Sequence, residues 1–279
     1  MNWLPKNCRG ISTTTTTCLS EQKLDPMLPV NRADLHVHTS ASDGLATVEQ
    51  VLAQVATAGK LRVVAITDHD AMLDAVRARR LQRDFGVEVI VGEEVSTQEG
   101  HLLALFIDHA LPPGRPAAET IAAIHAQGGL CIAPHPYDWL IPSLGKAGLR
   151  TRCVPHDGAA DGRDWPFDAI ETLNASITWP ASVANAWAQY VAVELGLPVV
   201  GGSDTHTLAT VGQAYTEFCG TTAEDVYRSI KEGTVAAVGH CWSPTQFLEF
   251  YQLTLRRRSL SGALKLACAN VTLLHKAVA

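Results

Sequence analysis

The chain has 279 residues, 47% of them apolar, a formal net charge of −6 and seven cysteines. That is enough apolar material for one large core or two small ones, and an acidic balance without a long basic run argues against a dedicated duplex-binding protein. The odd cysteine count without a Cys-x-x-Cys spacing argues against a disulfide scaffold and for a reducing cytoplasm; neither a secretory h-region nor a bilayer-length apolar run is visible, so a soluble intracellular protein is expected.

Residues 1–30, with the low-complexity run STTTTTC, read as a flexible tail. A barrel domain is expected over 31–250. ADLHVH at 33–38 reads as its first strand. The following stretch to Gly59 reads as a helix with Thr47 as N-cap. LRVVAITDHD at 61–70 is a near-continuous apolar run ending in polar residues, as a buried parallel strand should. A helix closed by Gly86 follows, then strands over 87–96 and 100–107, a helix over 117–129 and a strand over 130–136. Residues 137–165, rich in Gly and Asp, read as a long loop. Beyond it come a strand (167–175), a helix (182–196), a strand (198–206), a helix (222–233) and a last strand (234–240). Residues 251–279 read as a C-terminal helical extension packed on the barrel or on a partner subunit. Strands alternating with helices indicate an α/β fold with parallel strands. The length and about seven such units favour a TIM-like barrel over an open sheet.

The ionisable residues collect where strands end. His36 and His38 close the first strand, Asp68 and His69 the second. Glu94 sits late in the third, His135 ends LCIAPHP, and Asp204 and His206 end PVVGGSDTH. In an α/β barrel the strand C-termini converge on the active-site face. Alternation sends i and i+2 to the same side, so His36 projects with His38, and Asp204 with His206. Imidazoles mixed with carboxylates make a site for divalent transition metals. No G-x-S-x-G elbow and no P-loop pattern is present. Each motif alone is ordinary: a His-x-His is structural about as often as not, and Thr-Asp-His or Ser-Asp-Thr-His can be a helix cap. Their joint occurrence at five strand ends carries the reading.

The ordered set DLHVHTSASDG, AITDHD, GEEVS, APHP and GGSDTH resembles the PHP (polymerase and histidinol phosphatase) superfamily of metal-dependent phosphoesterases, over roughly residues 33–240. The resemblance implies a distorted (β/α)7 barrel with three divalent metals, variously zinc, manganese or iron. It implies metal ligation by His36, His38, Asp43, His69, Glu94, His135, Asp204 and His206, with Glu93 at the variable position beside the bridging Glu94. His101 resembles a histidine used on the second metal by several small members, with His156 a competing candidate and His109 a weaker one. The implied reaction is hydrolysis of a small phosphomonoester or phosphodiester, nucleotide-like or a sugar or amino-alcohol phosphate. The metals would polarise the phosphoryl oxygens and generate a hydroxide for in-line attack. His69 and Asp68 are the catalytic candidates besides the metals, Asp68 by orienting a histidine.

Lys146, Arg150 and Arg152, in the long loop, are the expected substrate-binding cations. Arg77, Arg79 and Arg80 read first as a solvated helix face. The expected partner is a small phosphorylated substrate or a short oligonucleotide end, with no duplex DNA and no membrane, and the chain could form a homo-oligomer. Two rivals stand beside this reading. An amidohydrolase-like C–N hydrolase also begins with His-x-His, but many of those bridge their metals through a strand lysine, and no lysine here falls in an expected strand. A non-catalytic metal-binding module is the other.

Overall fold

The structure, a computed structural model, describes residues 29–149, 167–176 and 183–257. Its described residues fall into two units, one running to Trp242 and one beginning at Ser243. In chain order the first unit holds β1 (Val30–Asp34), α1 (Val48–Ala58), β2 (Val63–Ile66), α2 (Leu73–Phe85), β3 (Glu88–Ser96) and β4 (His101–Leu105). Then come α3 (Ala117–Ala126), β5 (Leu130–Ala133), α4 (Gly145–Leu149), β6 (Ala169–Asn174), α5 (Val183–Leu195) and β7 (Val199–Gly202). The unit closes with β8 (Ala214–Cys219), α6 (Ala223–Glu232) and β9 (Ala236–Gly239).

β1 to β7 lie side by side in sequence order. Beyond β7 the extended chain at Thr205 forms a parallel bridge with Val37, just beyond β1, which joins the two ends of the row into a nearly closed barrel. The expected α/β barrel is therefore present. The expected parallel order holds for β1–β2–β3 and β5–β6–β7, but β4 runs antiparallel to both its neighbours. The cause is the short Thr97–Gly100 connection: too short for a crossover helix, it turns the chain back as a hairpin. β8 and β9 add an antiparallel pair on the other edge of β1. β8 was not anticipated from the sequence, and α4 lies inside the stretch expected to be loop.

One residue parity from each of the seven strands meets in a single apolar cluster: Ala33, Val63, Ala65, Ile90, Leu103, Ile132, Ala169 and Val200 are all buried there, with Phe218 and α6 alongside. This is the barrel interior. The opposite parity packs under helices, as Val64 and Ile66 do against Val51, Val55 and Ala78 of α1 and α2. Strands covered on both faces read as continuous apolar runs, which is why β2 showed no alternation. The expected caps are observed: Thr47 forms a reciprocal capping box with Gln50, and Gly86 ends α2 in the left-handed conformation.

The first strand ends earlier than expected. Leu35 packs in the interior cluster, whereas Val37 packs in the helix layer. The inward sense thus passes from odd to even positions between Leu35 and His36, and that switch turns both histidines toward the axis. The second unit contains a helical stretch over 244–257, started by a reciprocal bond pair between Ser243 and Gln246. Phe247, Leu248, Tyr251 and Leu255 on it are exposed. Of the proposed extension, residues 258–279 lie outside the described residues, as do residues 1–28 of the tail. Among the described residues no helix is long and apolar enough to cross a membrane.

Candidate metal centre

Inward-facing positions carry apolar side chains through the barrel and change to ionisable ones at its upper end. On β3 the inward series runs Ile90, Gly92, Glu94, while Val91, Glu93 and Val95 face the helices. Glu94 is buried and stands at the centre of five imidazoles. Its Oε2 lies 3.1 Å from His36 Nε2, 3.1 Å from His38 Nε2 and 3.3 Å from His69 Nδ1. Its Oε1 lies 2.8 Å from His101 Nδ1 and 2.9 Å from His135 Nε2. Asp204 Oδ1 adds 3.2 Å to His38 Nε2 and 3.5 Å to His36 Nε2. At the rim, Asp43 Oδ2 lies 3.1 Å from His206 Nε2 and 3.8 Å from His69 Nε2.

All nine residues expected as metal ligands therefore come together. They form four overlapping groups with metal-ligand spacing: His36/His38/Asp204, His36/Glu94/His135, His69/Glu94/His101 and His38/Asp43/His69/His206. The place of His101 has a simple cause. β4 runs antiparallel to β3, so it begins where its neighbours end, and Ser96 pairs with His101 across the hairpin. His109, the weaker alternative, is exposed at the far end of β4 and takes no part in these groups, and His156 lies outside the described residues.

Backbone conformation at two of these residues is costly. His135 has φ 27° and Asp204 φ 47°, a region L-residues rarely occupy. Such residues cost on the order of 1–3 kcal/mol each and persist where the surroundings over-determine them. His135 is held by Glu171 Oε2, which accepts its backbone N–H at 2.8 Å, and by Ser143 Oγ, 3.2 Å from Nδ1. Asp204 Oδ2 accepts from Asn174 Nδ2 at 3.1 Å and Ser176 Oγ at 2.8 Å.

The electrostatics show what this arrangement wants. Burial works against a charge on His36, but Asp204, Glu171 and Glu94 together raise its imidazole well above the usual range. Burial likewise opposes charge on His38, and Asp204 and Glu94 outweigh it, pushing the group up to about 10. Glu94, Asp204 and Asp43 are held low by the surrounding imidazoles despite burial, which acts the other way. The cluster is thus a dense set of carboxylates demanding positive charge. Protons supply it poorly: both ring nitrogens of buried His38, and Nδ1 of buried His101, make no hydrogen bond of acceptable geometry. Imidazole nitrogens aimed at carboxylate oxygens without hydrogen-bond geometry are what a cation seated between them would require, and N/O donors suit zinc, manganese or iron. The residues present fit a multi-metal site.

Asp68 plays a part different from the one expected. Among the described residues its carboxylate reaches no histidine. It accepts from Thr39 N–H and Oγ1, both at 2.7 Å, and from Ser42 Oγ at 2.6 Å. Asp68 therefore fixes the loop that carries Asp43. The reason is register: its buried side chain points to the β1 exit, and the next residue, His69, turns to the cluster. Of the expected substrate cations, Arg150 and Arg152 lie outside the described residues, and Lys146 sits on α4. Arg77 pairs with Glu49, Arg79 donates to the Val89 carbonyl at 2.8 Å, and Arg80 is exposed, in keeping with a helix surface.

Among the buried carboxylates that the sequence reading does not single out, two contact His36. Asp34 accepts backbone N–H groups from Ser203 at 2.9 Å and Gly212 at 2.8 Å, tying β1 to the β7 exit; burial pushes its carboxyl up to about 6. Glu171 lies on the inward face of β6, two residues after Ala169, with its Oε1 3.1 Å from His36 Nδ1. A charged residue in the middle of the apolar run AIETLN was the available signal.

Comparison with known proteins agrees with this geometry. A PHP domain model matches residues 34–157, and a PHP-associated model matches 183–235. An uncharacterized protein of Methanocaldococcus jannaschii is 40% identical over 125 residues, which is 41% of this chain and 72% of that protein. A phosphoribosyl 1,2-cyclic phosphate 1,2-diphosphodiesterase of Eggerthella lenta is 41% identical over 85 residues, 28% of this chain and 32% of that enzyme; the match thus spans about a third of its length. Among solved structures, a two-domain protein from Bacteroides vulgatus containing a predicted PHP-like metal-dependent phosphoesterase superposes with TM-score 0.56 at 16% identity, covering 81% of this chain and 70% of that one. With its barrel, its matched domain models and its nine converging side chains, the chain belongs to the PHP family of metal-dependent phosphoesterases.

Proposed function

We propose that this protein hydrolyses a small phosphomonoester or phosphodiester, of nucleotide-like, sugar-phosphate or amino-alcohol-phosphate character, at a three-metal centre. The observation that carries the proposal is the gradient of exposure across the cluster. His36, His38, Glu94 and His135 are sealed in, while the rim residues Asp43, His69 and His206 keep side-chain exposures of 54%, 28% and 13%. Deep residues hold cations, and the rim leaves positions open to solvent and substrate. Divalent ions bound there would polarise a phosphoryl oxygen and activate water for in-line attack.

The chain's own residues do the rest. Glu94 presents one oxygen to each half of the cluster and so holds the groups in register. His69 faces Glu94 with Nδ1 and Asp43 with Nε2, spending both nitrogens within the cluster. Its role is therefore to hold the centre together, and the leaving group takes its proton from water. Three divalent ions against Asp43, Glu94 and Asp204 leave the pocket positive, which attracts a phosphate despite the acidic chain. A short oligonucleotide end presents the same group and belongs to the same substrate class. Lys146, Arg150 and Arg152 remain the proposed cations for the rest of the substrate, and zinc, manganese or iron the proposed ions.

The test is a panel of phosphomonoesters, phosphodiesters and amide or hydantoin substrates, run with metal analysis of the same preparation. Phosphoester turnover that chelation abolishes and zinc, manganese or iron restores is expected. Turnover of amides alone, or fewer than two metals per chain in protein purified without chelator, would overturn it.

A further inference from the structure

Among the described residues, Glu171 is the one buried carboxylate outside the nine-residue set that lies within hydrogen-bond distance of a cluster imidazole. Its two oxygens have different tasks. Oε1 stands 3.1 Å from His36 Nδ1. Oε2 accepts two donors, the His135 backbone N–H at 2.8 Å and Asn174 Nδ2 at 2.9 Å. The amide of Asn174 cannot be turned around, because its Oδ1 accepts from Ser176 N–H at 2.9 Å and its Nδ2 faces two carboxylate oxygens. Its Nδ2 therefore donates one hydrogen to Glu171 and the other to Asp204 Oδ2, 3.1 Å away.

The fold also reserves space for this contact. A Cβ at Gly202 would stand 2.4 Å from Glu171 Oε1 and 2.6 Å from the Cβ of His36. Only glycine lets β7 pass beside the Glu171–His36 pair. The carboxylate is thus oriented by two donors, buttressed by a locked amide and given room by a glycine, and its free oxygen meets one ring nitrogen of one histidine.

We propose that Glu171 is a positioning residue for the metal centre: it accepts the Nδ1 proton of His36 and so keeps Nε2 unprotonated toward the cation held with Glu94 and Asp204. The proposal rests on the metal-centre reading above. An imidazole ligand whose second nitrogen donates to a carboxylate has its tautomer and ring angle fixed and its basicity raised, and losing such a partner weakens metal binding about 10–100-fold.

The geometry makes the isosteric change Glu171→Gln informative. The donors from His135 and Asn174 hold the amide oxygen on their side, so the new NH2 group faces His36 Nδ1. A donor there forces the imidazole proton onto Nε2, the nitrogen that must ligate. The experiment compares wild-type and Glu171→Gln proteins loaded with zinc, by chelator competition, by proton NMR of exchange-protected imidazole N–H groups, and by the melting temperature of the metal-free proteins. The expected result has three parts. One zinc binds about 10–100-fold more weakly while the others are retained. A downfield imidazole proton of the wild type disappears, and the metal-free melting temperature changes little. With any phosphoester found to turn over, kcat falls and KM holds.

Wild-type zinc affinity in the variant with the imidazole proton retained would overturn the proposal. So would an equal loss of every zinc together with a large drop in metal-free stability, which marks a merely structural residue. If Glu171→Gln does not fold, Glu171→Asp keeps the charge but shortens the reach by a methylene; the same selective zinc loss is expected, and unchanged affinity overturns the proposal. Failure of the wild type itself to bind zinc would instead sink the metal-centre reading.

Discussion

Replacing Glu94 by Gln separates a bridging carboxylate from a simple ion pair. The change keeps the shape of the side chain and removes its charge. Glu94 Oε2 lies within 3.3 Å of His36, His38 and His69, and Oε1 within 2.9 Å of His101 and His135. An amide can keep an acceptor on one of these sides only, and the other side receives two hydrogens where a cation should sit. Removing one member of a buried charged set costs about 3–5 kcal/mol, which at 1.36 kcal/mol per decade is about two to four decades of affinity. Because the side chain belongs to two of the overlapping ligand groups, the loss should fall on more than one metal. Metal content by elemental analysis after dialysis against a weak chelator reads this directly, and circular dichroism checks that the barrel remains. Retention of the full wild-type metal complement at wild-type affinity would refute the reasoning, since no bridging role survives it.

Four further outcomes follow from the same geometry. Asp43→Asn alters the most exposed of the proposed ligands; on the proposed function it should cost about tenfold or more in phosphoester turnover while metal bound around Glu94 is retained, read by paired activity and metal assays. Asp68→Ala leaves the buried Thr39 N–H without its acceptor; a stability loss of about 1–3 kcal/mol is expected in denaturant titration, and wild-type stability would remove Asp68 from its loop-fixing role. Gly202→Ala should destabilise by about 1–3 kcal/mol through overpacking and lower zinc affinity along with Glu171→Gln, because both disturb the same contact. The metal-free protein should show a distinctive pH profile. His38 is raised to about 10 from 6.5, so its proton stabilises the fold fully below pH 6.5 and that contribution is lost as pH rises toward 10. Glu94 and Asp204 are depressed below 4.5 and 3.8, so their contribution is present above those values and lost in acid. Melting temperature without metal should therefore peak in mildly acidic buffer and fall toward alkaline pH. With metal bound it should instead climb from acid to neutral pH, because protons compete with the cations; parallel profiles would contradict this.

Much of the molecule was legible from sequence because its signals are local. Apolar runs gave β2 and β5, Thr47 and Gly86 bounded their helices, and motifs at strand ends named seven of the nine residues that the barrel brings within reach of one another, Asp43 and His101 being added by the family resemblance. A strand end reports its own position in the barrel, so clustering followed from the fold class. What stayed hidden depended on partners distant in the chain. The antiparallel turn of β4, which puts His101 at the site, is set by hairpin pairing with β3. β8 is defined by lying against β1, and its alternating burial carried no run to notice. Asp68 turned from catalytic candidate to loop anchor because its acceptors face Thr39 and Ser42. Glu171 is 135 positions from His36, and only closure of the barrel makes them neighbours. Sequence by itself determined which side-chain types gather at the strand ends and to which family the chain belongs, since both are written locally. Tertiary structure alone decided which oxygen faces which nitrogen, since hydrogen bonds and metal ligation act over a few ångströms and depend on packing between strands far apart in sequence.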